Sequence, residues 1–145
     1  MKHRLSIFGS GEGTTLEYLW EQQESQTLAL QIVAAVSNTS CPFIEKAKVR
    51  NIPTLISKDW GEITNFVTGY QTELALLAGF MRVVPEEFLE WVPCINIHPA
   101  FLPEFPGKDP QKRALDAKAP STGVTIHIVT PVLDGGPFLL QKKVP

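Results

Sequence analysis

A chain of 145 residues with 43% hydrophobic and 19% charged residues has the makeup of one globular domain, not of a disordered segment. Its formal charge of −2 gives no electrostatic basis for nucleic acid as the main partner, and two cysteines, Cys41 and Cys94, are too few for a metal cluster or a disulfide framework. No window approaches the roughly 20 apolar residues that span a bilayer, and the apolar part of "MKHRLSIFGSGEG" is too short for a signal sequence, so a cytoplasmic chain with no membrane partner is expected.

In chain order, "RLSIFG" reads as a first strand. "TTLEYLWEQQ" follows as a helix with Leu16, Leu19 and Trp20 at helical spacing and Thr14 or Thr15 as its N-cap. "ALQIVAAVSN" is a buried strand, "CPFIEKAKVR" a helix with proline in its first turn, and "IPTLIS" a short strand. Two glycines and several β-branched residues weaken the helix predicted over "DWGEITNFVTGY". The apolar run Leu74 to Ala78 fits strand or helix by periodicity, and the alternation of the whole chain favours a strand ending near Gly79. "PEEFLEWV" is a short helix, "PCINIHP" a strand and "DPQKRALDAKA" a helix. The strands "GVTIHIVT" and "PFLLQKKV" close the chain, and the turn "PVLDGG" between them is too short for a crossover, so they run antiparallel. The pattern predicts an α/β fold: a single open, mostly parallel twisted sheet with helices on both faces.

Three pieces carry chemistry. Gly9, Ser10, Gly11, Glu12, Gly13, Thr14 and Thr15 join the first strand to the first helix, where free N–H groups and a close backbone approach suit a phosphate. The spacing is neither a full dinucleotide fingerprint nor a P-loop, so a merely tight turn stays open. Asn96 and His98, two apart on one strand, project to the same side at its carboxyl end, where open α/β sheets bind ligands. A capping asparagine beside a buried histidine is the plainer alternative. Asp134 lies in the turn "LDGG" and can approach His98 if the strand "GVTIHIVT" lies beside the Asn/His strand, favouring the protonated imidazole. Two donors and an acid suit addition to a carbonyl. No nucleophile elbow is present, so the attacking group comes from a substrate. His3 reads as solvated and His127 as a core or pocket-wall histidine. Metal-ligand spacings are absent, so no metal is expected.

Taken together, "SGEGTTL", "LAGFMRVVPEEF", "NIHPAFLPEFPG", "GVTIHIVT" and "LDGGPFLLQKKV" resemble the glycinamide ribonucleotide formyltransferases of de novo purine biosynthesis, in order along almost the whole chain. The asparagine-histidine and "LDGG" motifs are shared with the wider formyltransferase family, whereas "LAGFMR" is more particular. The resemblance implies a Rossmann-like formyltransferase fold and transfer of a formyl group from 10-formyltetrahydrofolate, the donor co-substrate, to the amine of glycinamide ribonucleotide. It implies Asn96, His98 and Asp134 as catalytic residues and Gly11 to Thr15 as the phosphate site. Leu77, Arg82, Val83, Val84, Phe88 and Leu89 would surround the folate, with the loop Thr130, Pro131, Val132, Leu133 and Asp134 closing on its pteridine.

The sequence also departs from that pattern. Glu12 and Thr15 stand where the family favours neutral residues, often asparagine. The family continues past the point where this sequence stops with a helical segment, so residues 1–145 are expected to form the α/β domain without it, and a homo-oligomer is one way to cover the apolar surface left. A non-catalytic nucleotide- or folate-binding relative, hydrolysis of the folate donor and formylation of a sugar nucleotide remain open.

Overall fold

The computed structural model describes residues 2–80, 82–102, 104, 106, 109–119, 121–132 and 136–144. In chain order the elements are β1 (His3–Phe8), α1 (Thr14–Glu24), β2 (Leu30–Ser37), α2 (Pro42–Val49), β3 (Thr54–Ile56), α3 (Trp60–Gly69), β4 (Leu74–Ala78), α4 (Glu86–Leu89), β5 (Cys94–His98), α5 (Pro110–Asp116), β6 (Thr122–Ile128) and β7 (Phe138–Val144). One seven-stranded sheet has the order β3-β2-β1-β4-β5-β6-β7. The first four pairings are parallel; β5-β6 and β6-β7 are antiparallel. The mostly parallel sheet and the closing hairpin are as expected, and the reversal already at β5-β6 adds to it.

Two apolar clusters cover the two faces of the sheet. On one, Leu16 of α1 and Phe43, Ile44 and Ala47 of α2 pack on Leu5, Ile7, Ile32, Ala35 and Leu76. On the other, Ile63 and Val67 of α3 and Phe88 of α4 pack on Phe8, Val36, Ala75, Leu77 and Cys94. Phe8 is the hub of the second face, with Phe80 and Phe88 edge-on at 5.4 and 5.8 Å and Trp60 stacked at 6.3 Å. Each such contact is worth about 0.5–1.5 kcal/mol beyond the area buried.

The helix ends explain one difference from expectation. Neither Thr14 nor Thr15 caps α1; Gly13 does, with φ 80° and no side-chain cap. Only glycine takes that left-handed backbone freely, and it lets the chain turn straight from strand to helix. The helix weakly predicted over residues 59–70 does form, because Asp59 caps it by accepting from the Gly61 N–H at 2.8 Å. At the far edge, β7 leaves Phe138, Leu139 and Leu140 exposed.

The chain runs outward from β1 to β2 and β3, then returns to place β4 on the other side of β1. The two loops that leave β1 and β4 therefore diverge at the carboxyl end of the sheet and open a crevice between them.

Candidate active site

The crevice is where the glycine-rich turn sits. Ser10 to Leu16, with Phe43 of α2, Ala78 at the end of β4 and Gly79 just after it, line a cleft of about 250 Å³. Phe43 N–H donates to Gly11 O (2.9 Å), Lys46 Nζ to Glu12 O (2.5 Å) and Glu17 N–H to Gly13 O (3.1 Å). Three carbonyl oxygens, the pole that repels an anion, are thereby occupied. Lys46 also pairs with Glu17 at 3.0 Å, so a cation from α2 stands beside the turn. A Cβ on Gly9 would come within 2.9 Å of the Phe43 ring, so the backbone passes as close as it does only because Gly9 has none. The five residues predicted for a phosphate all line this cleft.

A second cleft lies on the face of the sheet that holds Phe8. Register sets its floor: Phe8 pairs with Leu77, Leu77 with Asn96, and Asn96 with His127, so four side chains form one row across β1, β4, β5 and β6. Leu77, Asn96 and His127 line the cleft together with Phe80, Arg82, Val83, Val84, Val129, Thr130 and Val132. Of the predicted folate residues, Leu77, Arg82, Val83, Val84, Thr130 and Val132 are thus gathered here. Phe88 and Leu89 stand behind the wall instead: Phe88 is 1% exposed within the aromatic cluster, and Leu89 packs against it. Pro131 is exposed. Leu133 and Asp134 lie outside the described residues.

Asn96 and His98 share a side of β5, as alternation requires, and β6 lies beside them. His98 is buried and pairs in register with Thr125. Asn96 Nδ2 lies 3.1 Å from His127 Nε2, while His127 Nδ1 lies 3.1 Å from Ile128 O. A carbonyl oxygen only accepts, so Nδ1 carries the hydrogen and Nε2 accepts from the amide. The pocket-wall role expected of His127 is the one it occupies, but its bond to Asn96 depends on a strand register that sequence spacing does not reveal.

Arg82 lines the cleft. Its Nη2 donates to Lys58 O at 3.0 Å and its guanidinium carbon lies 5.2 Å from the centre of the Trp60 ring, while Nη1 is buried without a hydrogen-bond partner among the described residues. Burial pushes the Cys94 thiol up to about 12, so this residue, at the start of β5, is no nucleophile. Among the described residues no cluster of three metal-ligating side chains occurs, and no helix is long and apolar enough to cross a membrane.

Comparison with known proteins gives the family and the fold. The Formyl transferase family model matches residues 3–145. The trifunctional purine biosynthetic protein adenosine-3 of Gallus gallus is 35% identical over 99% of this chain, which spans only 16% of that protein. The phosphoribosylglycinamide formyltransferase of Escherichia coli (strain K12) is 32% identical over 94% of this chain and 70% of its own length. The crystal structure of glycinamide ribonucleotide transformylase 1 from Geobacillus kaustophilus superposes with a TM-score of 0.92 at 31% identity, covering 100% of this chain and 84% of that one. With the family model matched over nearly the whole chain and the fold superposing closely on solved relatives, the chain belongs to the formyl transferase family.

Proposed function

We propose that this domain transfers a formyl group from 10-formyltetrahydrofolate to the primary amine of glycinamide ribonucleotide, with Asn96, His98 and Asp134 as its catalytic residues. The observation that carries the proposal is the row joining Leu77, Asn96 and His127, one step from His98 on the same side of β5. It sets a carboxamide donor and an imidazole at the edge of an apolar cleft, close to a crevice suited to an anion.

In this mechanism the substrate amine attacks the formyl carbon, and the carbonyl oxygen gathers negative charge. Asn96 donates to that oxygen and His98 in its protonated form donates beside it; the adduct then collapses by breaking the bond between the formyl carbon and the folate nitrogen, which receives the proton the amine loses, with Asp134 taking part in moving it, and leaves as tetrahydrofolate. Donors fixed in advance act most strongly where charge develops, because they need no reorganisation during the reaction. The phosphate of the nucleotide would lie on Gly11 to Thr15, at the N-terminus of α1. The folate ring would lie against Leu77, Val83 and Val84. The free space of about 20 Å³ in this cleft is well below the roughly 300 Å³ of small-molecule pockets, so admission of the ring requires the lining to open.

The test is to incubate the protein with 10-formyltetrahydrofolate, with and without glycinamide ribonucleotide, and to follow tetrahydrofolate. Product that depends on the amine supports transfer. Product without it assigns hydrolysis instead, and binding with no product in either arm reduces the domain to a ligand-binding relative.

A further inference from the structure

One step beyond the Asn96-His127 pair, towards the carboxyl end of β5, a second row crosses the sheet: His98 pairs with Thr125, and Thr125 with Gln141 of β7. Thr125 Oγ1 lies 2.8 Å from Ala100 O, 3.1 Å from Leu102 N and 3.0 Å from Gln141 Nε2. Ala100 O only accepts, so the hydroxyl gives its single proton there and accepts from the other two, which uses its full capacity. Gln141 Nε2 also lies 2.8 Å from Leu102 O, another atom that only accepts, and this fixes which way the amide is turned.

The peptide groups so held belong to the turn that leaves His98. Ala100 N–H donates to His98 O at 2.9 Å, so the turn is closed on the histidine's own carbonyl. Thr125, Ala100 and Leu102 are all buried, so a lost bond there has no water to replace it. The pattern of β7 points the same way. An outer strand normally turns apolar residues inward and polar ones out. Here Phe138, Leu139, Leu140, Lys142 and Lys143 are exposed, and among the described side chains of β7 Gln141 is the one drawn in.

We infer that Gln141 is a positioning residue for His98, acting through Thr125 and the Ala100–Leu102 turn. It touches no reacting atom. It holds the backbone that carries the imidazole, and small displacements of a catalytic group are costly to rate. The inference rests on the proposed formyl transfer for its kinetic consequence, but not for its structural one.

The test compares Gln141→Leu, which keeps bulk and removes both donors, Thr125→Val, which keeps shape and removes the hydroxyl, and Thr125→Ser, which keeps the hydroxyl. Three readouts are taken: kcat and KM for formyl transfer, NMR chemical shifts of the His98 ring, and amide exchange at Leu102. Gln141→Leu and Thr125→Val should each lower kcat by about tenfold to a hundredfold with KM little changed, move the His98 ring signals and speed exchange at Leu102. Thr125→Ser should stay near the parent protein, and the double variant should fall little below the worse single one. A folded Gln141→Leu with unchanged kcat and ring signals overturns the inference. Should the parent protein itself lack transferase activity, the functional proposal fails while ring shifts and exchange still decide this one. If Gln141→Leu does not fold, Thr125→Val bears the same test; if neither folds, the network serves the fold alone and the inference is wrong.

Discussion

Asn96 and His127 face each other across the antiparallel β5-β6 pair, joined by a hydrogen bond of 3.1 Å between Asn96 Nδ2 and His127 Nε2. Because His127 Nδ1 is turned to Ile128 O, the ring is anchored at one nitrogen and holds the carboxamide with the other. The amide is therefore aimed before any substrate arrives.

In the proposed mechanism, replacing Asn96 with alanine removes a donor at the developing oxyanion, so kcat should fall about 10²- to 10³-fold with the protein still folded. His127→Ala leaves the donor present but less well held, so the expected loss is smaller, about tenfold, and KM should change little. Steady-state kinetics with thermal unfolding as the control distinguish the two. Equal losses in both variants would mean that His127 itself meets the reacting atoms.

Much of the architecture is legible in the sequence because the signals are local. Each buried strand is a short β-branched or apolar run, and the helices between them alternate regularly enough to settle the ambiguous Leu74–Ala78 run as β4. Asn96 and His98 are legible for the same reason, since two residues on a strand share a face. What depends on register is not legible. The loop after His98 leaves the direction of β6 undetermined, so neither the Asn96-His127 bond nor the Gln141 clamp can be read from spacing. The cap of α1 is missed for a different reason: threonine is the commoner N-cap, but Gly13 takes a left-handed backbone that side-chain propensity does not register.

That backbone makes Gly13 the weak point of the turn proposed for the phosphate. A Cβ there would sit 3.0 Å from the Phe43 Cα, at φ +80°. Gly13→Ala should destabilise the domain by about 1–3 kcal/mol and weaken binding of glycinamide ribonucleotide at the same time. Gly11→Ala meets nothing within 4 Å and has no positive φ, so its stability should stay within about 0.5 kcal/mol of the parent. Denaturant unfolding of both variants checks the contrast.

Glu12 sets the charge of the same turn. Its side chain is exposed and lines the cleft proposed for the phosphate. An acidic group there repels an anion a few ångströms away by up to about 1 kcal/mol in water. Glu12→Gln should therefore tighten nucleotide binding by about two- to fivefold, and the gain should shrink as salt is added. Calorimetric titration at two ionic strengths measures both effects, and unchanged affinity would mean that the carboxylate is turned away from the ligand.

The two cysteines should separate cleanly by reactivity. Cys94 is 2% exposed at the start of β5, and burial penalises its thiolate enough to raise the thiol from 9.0 to about 12. Cys41, at the N-cap of α2, is partly exposed. A thiol reagent at pH 8 should modify one cysteine, Cys41, in the folded protein and both after unfolding, because the thiolate is the nucleophile. The sign of the pH dependence follows from the raised value. The unfolded chain loses the Cys94 proton near 9 and the folded one only near 12, so this group's contribution to stability is intact below pH 9 and declines as pH rises towards 12. Unfolding midpoints between pH 8 and 11 should fall less steeply in Cys94→Ala than in the parent protein; equal slopes would show that Cys94 is not the group responsible.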